Sequence, residues 1–308
     1  MDKAKSMTLS KITEPSPVSE QKTSSWRDYI TLTKTGIVTS NFLTTFLGVW
    51  LASKYTGFSL IENWLHVVMA LLGTTFVIAG GTSLNNFIDR DIDRLMPRTQ
   101  NRPSADGRIP PNQVLIVGFT LSVIGILMLL YTSVIAAILG IIGLVFYVVL
   151  YSMWTKRTTT LNTAVGAVSG AVPPLIGWAA IQPELHPVAW TIFIIMFLWQ
   201  MPHFFAISMM RCEDYRKAGI PMLPVVAGFG ITKRQMVLYV AALLPVTLIL
   251  YKLGVVYTVI IGLFCLSWLI LGIRGFKTND DIKWAKQMFV FSLNFLLLFV
   301  FVTILVTI

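Results

Sequence analysis

Nine apolar stretches separated by short polar loops organise this chain of 308 residues. They run at about 34–53, 65–84, 114–131, 133–151, 162–181, 188–210, 236–251, 255–273 and 286–307. A helix crosses a bilayer with ~20 mostly apolar residues, and each stretch approaches or reaches that length. The joints at 131–133 and 251–254 are tight, as in helical hairpins. The pattern predicts an all-α, polytopic membrane protein with nine transmembrane helices.

Composition agrees with this reading. Hydrophobic residues make up 55% of the chain and charged residues 12%, about half the charged share of a soluble domain. Residues 1–28 are polar, Ser- and Lys-rich, and lack the apolar core of a signal peptide. They read as a flexible tail ahead of a single domain at 29–308. Asp2, Glu14 and Glu20 also argue against a mitochondrial transit peptide, which avoids acids. Cys212 and Cys265 lie far apart and suggest neither a disulfide framework nor a metal knuckle.

The charges are distributed by side. Nine spans leave ten flanking segments that alternate across the bilayer. One side holds Lys3, Lys5, Lys11, Lys22, Arg27 and Lys34, then Arg90, Arg94, Arg98, Arg102 and Arg108, then Lys156 and Arg157. It also holds Arg211, Arg216, Lys217, Lys233, Arg234, Arg274, Lys277, Lys283 and Lys286, which makes 22 of the 24 basic residues. Only Lys54 and Lys252 fall on the other side. Basic residues mark the cytoplasmic face, so the N-terminus is expected inside and the C-terminus outside. The net charge of +10 then belongs to this face and its anionic lipids. It calls for no nucleic acid partner.

The loop after the second stretch is the densest chemistry in the chain. It reads NNFIDRDIDRLMPRTQNRP at 85–103. Asn85, Asp89 and Asp93 recur every four residues and share one helix face if the helix continues. Asn86 reaches the same side. Carboxylates one turn apart repel, so stacking them calls for a cation between. Oxygen ligands of this kind suit Mg²⁺ together with a substrate phosphate. Arg94, Arg98 and Arg102 can fork onto phosphate oxygens. The plain alternative is a solvated loop that marks the membrane edge.

The Asn-x-x-x-Asp-x-x-x-Asp spacing followed by Arg-Thr-x-x-Arg-Pro resembles the first aspartate motif of the intramembrane prenyltransferase (UbiA-type) superfamily. YSMWTKRTTTLN (151–162), GAVSGAVPPLIGWAA (166–180), WQMPHFFAISM (199–209) and EDYRKAGIPMLPV (213–225) resemble its heme O synthase branch, the protoheme IX farnesyltransferases. The resemblance covers nearly the whole chain from about residue 30. It implies a nine-helix bundle in a bacterial cell membrane, with Mg²⁺, farnesyl diphosphate and heme b as cofactor and substrates. Farnesyl transfer to a heme vinyl group with addition of water would give heme O and diphosphate. Heme A synthase is the partner protein this suggests.

The resemblance makes Asn85, Asn86, Asp89 and Asp93 metal and diphosphate ligands, with Asp89, Asp93 and Asp214 as catalytic carboxylates. Arg94, Arg98, Arg102, Lys156, Arg157, Arg216 and Lys217 become the diphosphate-binding cations. Asp214 is also a candidate metal ligand. However, the superfamily carries another aspartate four residues before it, and this chain has Met210 there. Pro173-Pro174 with Gly166, Gly170 and Gly177 should break or thin the fifth helix, either for packing or to make space for a ligand. His203, the one histidine on the cytoplasmic half, is a candidate heme contact with Trp199 and Trp178. Its structural alternative is a bond to a carbonyl freed by Pro202.

Two other readings use the same residues. A prenyltransferase with an aromatic quinone precursor as acceptor would share the diphosphate motif. A transporter would place its ionisable groups near the bilayer midplane, whereas these carboxylates lie at one edge. The charge pattern itself makes a testable statement. Cysteine labelling should find the 85–113 and 211–235 loops on one side of the membrane and the C-terminus on the other. A C-terminus on the loop side would overturn the nine-span count.

Overall fold

The computed structural model describes residues 24–308. Of the tail assigned to 1–28, positions 1–23 lie outside the described residues. From Trp26 the chain is already helical, so a short helix starts inside that assignment. All regular structure among the described residues is helical. The elements are α1 (Trp26–Leu32), α2 (Thr35–Thr56), α3 (Trp64–Ile88), α4 (Arg90–Asp93), α5 (Pro111–Thr132) and α6 (Val134–Val145). A π-helical segment, Phe146–Thr155, joins α6 to α7 (Lys156–Thr158). Then come α8 (Asn162–Ile181), α9 (Pro187–Met210), α10 (Cys212–Lys217), α11 (Leu223–Val226), α12 (Gly228–Leu248), α13 (Val255–Arg274) and α14 (Asp281–Leu305).

Nine of the helical runs among the described residues are long and apolar enough to cross a membrane. They coincide with the nine stretches read from the sequence. The chain is a multi-pass membrane protein. The spans are unequally buried, in keeping with bundle position. Asn162–Ile181 and Pro187–Met210 are mostly covered by protein, whereas few residues of Val134–Thr158 are buried. α8 and α9 are therefore central, and α6 with its π-helical extension lies toward the periphery.

In lipid, apolar faces gain little by meeting, so helices associate through close packing of small residues. α2 and α8 show this best. A Cβ on Gly48 would lie 2.1 Å from the Pro174 carbonyl oxygen, and one on Gly177 would lie 2.1 Å from that of Thr45. The two backbones touch, and no side chain fits between them. α8 also corrects an expectation. It runs unbroken through Pro173 and Pro174, since bundle contacts hold the turn that two prolines weaken. Its glycines serve different ends. Gly177 packs on α2, while Gly166 and Gly170 line the cavity described below.

A Gly177→Leu substitution should force α2 and α8 apart and lower detergent-state stability by about 1–3 kcal/mol or more. Gly230→Ala, where a Cβ meets nothing within 4 Å, should leave stability unchanged or slightly raised. Thermal unfolding of the purified protein measures both. Equal midpoints for the two variants would contradict the close-approach account.

Candidate active site

One cavity of about 540 Å³ opens at the basic end of the bundle and runs inward. Helices α2, α3, α6, α8, α9 and α14 and the π segment wall it. Its mouth is charged and its interior is apolar and aromatic.

The acidic face is built at the end of α3. The helix breaks at Asp89, yet Asp89 N–H donates to Asn85 C=O (2.9 Å) and Asp93 N–H to Asp89 C=O (2.8 Å). Helical register therefore passes through the break, and Asn85, Asp89 and Asp93 keep the common face that their spacing predicts. All three line the cavity and are at most 2% exposed. Asp89 Oδ2 accepts from Asn85 Nδ2 (2.7 Å) and pairs with Lys156 Nζ. Asp93 Oδ2 pairs with Arg102 (2.8 Å). Asn85 Nδ2 also donates to Ser152 Oγ (2.8 Å), and Asn85 Oδ1 accepts from Lys34 Nζ.

One atom in this network is left over. Asp89 Oδ1 is buried without a hydrogen-bond partner among the described residues. A buried carboxylate oxygen in that state costs ~1–3 kcal/mol or more. A divalent cation there would remove the cost. Asp89 and Asp93 are the only carboxylates lining the cavity among the described residues. That small donor set fits Mg²⁺, which usually takes one or two carboxylates and completes its shell with water and substrate phosphate.

The cations come from distant parts of the chain. Arg102 and Arg98 belong to the loop after α4, and both line the mouth. Arg98 is exposed and makes no ion pair among the described residues. Lys156 depends on the π segment. Ser152 Oγ and Thr155 Oγ1 each donate to a carbonyl five residues back, the register of a wider helix. Tyr147 and Lys156 are nine residues apart. That is close to two turns at roughly 4.4 residues per turn for i→i+5 bonding. It would be about two and a half turns at roughly 3.6, the opposite face. The π segment thus turns Lys156 to the same side as Tyr147 and Tyr151, whose rings stack at 5.9 Å and 16°. All three line the cavity.

Several expected site residues lie elsewhere. Asn86 Nδ2 donates to Leu32 C=O (2.9 Å), tying α3 to the α1–α2 turn, and Asn86 does not line the cavity. Arg94 Nε donates to Ala105 C=O (2.6 Å) and braces its own loop. Arg157 forks onto both oxygens of Asp91 at 2.7 Å and holds that carboxyl down at about 2. Arg216 pairs with Glu213, and Lys217 is exposed; neither reaches the cavity. Asp214 does not join Asp89 and Asp93. α9 stops at Met210, Arg211 takes a non-helical φ of −118° and ψ of 21°, and the chain restarts as α10. This redirects Asp214 into a separate cavity with Met209, Met210, Phe229 and Ile282. Trp178 is buried at the far end, stacked on His186 (5.9 Å, 16°).

Other lining residues escaped the sequence reading. Lys34 sits in the left-handed region, φ 50°, at the start of α2, a conformation that costs energy for a residue with a side chain. Its place directly before the first span, on the basic side, was the available signal. Tyr215, beside Asp214, lines the mouth, and burial raises its phenol above the ordinary range. Deeper in the cavity, Gln200, Phe204 and Phe289 join the expected Trp199 and His203. Gly170 makes room for Gln200, since a Cβ there would lie 2.1 Å from Gln200 Oε1. His203 does not bond a carbonyl freed by Pro202; its Nδ1 lies 2.8 Å from Ser292 Oγ on α14.

The arrangement suits an anionic leaving group at the mouth and an oily chain within. Comparisons with known proteins agree. The model of the UbiA prenyltransferase family matches residues 41–301. The chain is 59% identical over 290 residues to a protoheme IX farnesyltransferase of Alkalihalophilus pseudofirmus, covering 94% of this chain and 93% of that one. A protein of the same name from Geobacillus thermodenitrificans is 54% identical over 88% of each chain. Among solved structures, a digeranylgeranylglyceryl phosphate synthase superposes with a TM-score of 0.73 at 18% identity, covering 91% of this chain and 98% of that one. A UbiA homolog from Archaeoglobus fulgidus bound to DMAPP and Mg²⁺ gives 0.63 at 15% identity, over 90% and 99%. These last two speak for the fold. The chain belongs to the UbiA prenyltransferase family.

Proposed function

We infer that the chain transfers the farnesyl group of farnesyl diphosphate to a vinyl group of heme b, with addition of water, giving heme O and diphosphate. The observation that carries this is a single cavity joining a carboxylate-and-cation mouth to a largely apolar, aromatic interior. Its close relatives are named for this reaction. The enzyme works in the bacterial cell membrane with the mouth of the cavity on the cytoplasmic side, in keeping with the basic loops that surround it. Heme A synthase, which consumes heme O, is the partner we assign.

Asp89 and Asp93 are the metal-binding carboxylates, with Asn85 bracing Asp89 through its amide. Magnesium held there supplies charge neutralisation to the departing diphosphate. Arg98, Arg102, Lys156 and Lys34 donate hydrogen bonds to the diphosphate oxygens. Fixed donors aimed where charge develops lower the barrier to breaking the allylic C–O bond. The apolar walls keep bulk water from the farnesyl cation and hold it against the vinyl carbon. A C–C bond then forms at the outer vinyl carbon, positive charge passes to the inner one, and water adds there. One proton leaves with the diphosphate. Asp91, Arg94, Arg157 and Asp214 stand outside this machinery.

Purified protein given farnesyl diphosphate, heme b and Mg²⁺ should yield a pigment heavier by farnesyl plus water, read by chromatography and mass. Prenylation of an aromatic quinone precursor, with heme b unchanged, would overturn the acceptor assignment. Asp89→Asn and Asp93→Asn should each lose at least ~10²-fold in turnover, while Asp91→Asn and Asp214→Asn keep most of it. Lys34→Met should raise KM for farnesyl diphosphate more than KM for heme. An Asp214→Asn loss as deep as that of Asp89→Asn would place Asp214 back in the metal site.

A further inference from the structure

The His203 ring is enclosed by aromatic neighbours. Trp199 stacks on it at 5.2 Å and 26°, Phe289 lies at 4.9 Å and 33°, and Phe204 meets it edge-on at 5.3 Å. Its one hydrogen bond among the described residues joins Nδ1 to Ser292 Oγ at 2.8 Å. The second contact of Ser292 decides which partner donates. Ser292 Oγ lies 2.5 Å from the Phe289 carbonyl oxygen, one turn back on α14. Two oxygens come that close only with a proton between them, and a carbonyl has none to give. The serine hydroxyl therefore donates to Phe289 and offers His203 only lone pairs. Nδ1 must carry the proton. No carboxylate among the described residues bonds the enclosed ring, so the imidazole is neutral, and Nε2 keeps an open lone pair on a residue that lines the cavity.

We propose that Ser292 is a positioning residue. It fixes the proton on His203 Nδ1 and so presents Nε2 as an electron-pair donor to the iron of a porphyrin acceptor. This rests on the reading of heme b as acceptor. Metal-bound imidazoles commonly use their other N–H in this way, and the partner oxygen sets tautomer and ring angle. Ser292 also anchors the ring's neighbour, because Trp199 Nε1 donates to the Ser292 carbonyl oxygen at 2.7 Å. Residues 199 and 203 are one helical turn apart on α9, so a single residue of α14 fixes both rings of the stack. A macrocycle held by its iron would have its vinyl groups at a set distance from the mouth.

The test is titration of the detergent-purified protein with ferric heme b, without farnesyl diphosphate, followed by the Soret band. Wild type, Ser292→Ala, Ser292→Thr and His203→Ala are compared. Ser292→Ala should weaken heme binding about 10–100-fold and shift the Soret band, while KM for farnesyl diphosphate stays the same. Ser292→Thr, which keeps the hydroxyl, should restore both. If His203→Ala alters affinity and spectrum but Ser292→Ala does not, the positioning role is overturned and the histidine contact stands. If neither variant alters either property, iron ligation by His203 is wrong, and the role of Ser292 falls with it. Nitrogen NMR of the heme-free wild type gives an independent reading should Ser292→Ala fail to fold. It should show His203 protonated at Nδ1, and a proton on Nε2 would overturn the proposal.

Discussion

Two carboxylates buried one helical turn apart, Asp89 and Asp93, set terms that the rest of the site has to meet. Each is 1% exposed. Like charges at that spacing repel, and an unpaired buried charge costs several kcal/mol. The bundle responds with cations from separate places: Lys156 on Asp89, Arg102 on Asp93, and Lys34 on the amide that braces Asp89. The compensation among the described residues stops short of completion, because Asp89 Oδ1 stays buried and unpartnered. That leftover oxygen, with Arg98 lining the same cavity and in no ion pair among the described residues, leaves the mouth able to take a metal and an anion together. A fully satisfied cluster would be a structural plug.

The backbone geometry follows from the same demand. Lys156 reaches Asp89 because the last turns before it widen into a π-helix, an arrangement that costs hydrogen-bond quality and is concentrated at functional sites. Lys34 takes a left-handed backbone at the start of α2. Both are local departures from the cheapest conformation, tolerated where surrounding packing fixes them. Farther in, Gly166 and Gly170 keep α8 thin where the cavity passes, and Gly48 and Gly177 bring α2 and α8 into contact where it does not. One helix thereby serves as wall and as spine.

The division between charged mouth and aromatic interior has a chemical logic. Departure of a diphosphate needs fixed positive charge and hydrogen-bond donors. Survival of an allylic cation needs the absence of competing water. A cavity entering a bundle from its polar edge meets both needs along one axis. The buried serine at position 292 holds His203 in one orientation among aromatic neighbours.

What the sequence by itself determined is local. The nine spans were legible because lipid requires long uninterrupted apolar runs, and the common face of Asn85, Asp89 and Asp93 was legible because helical register survives the break at Asp89. Arg98, Arg102, Lys156, Trp199 and His203 were likewise placed in the cavity. Tertiary structure decided which charges meet. Arg94, Arg98 and Arg102 recur every four residues, yet one bonds a loop carbonyl, one makes no ion pair among the described residues and one holds Asp93. Asp214 matched a motif, but a break at Arg211 pointed it into another cavity. Trp178 matched by type and lies at the opposite end. Lys34 reaches Asn85 across 51 positions. Periodicity is a property of neighbours along the chain and can be read there. The partner of a long flexible side chain is chosen among groups that only folding brings near.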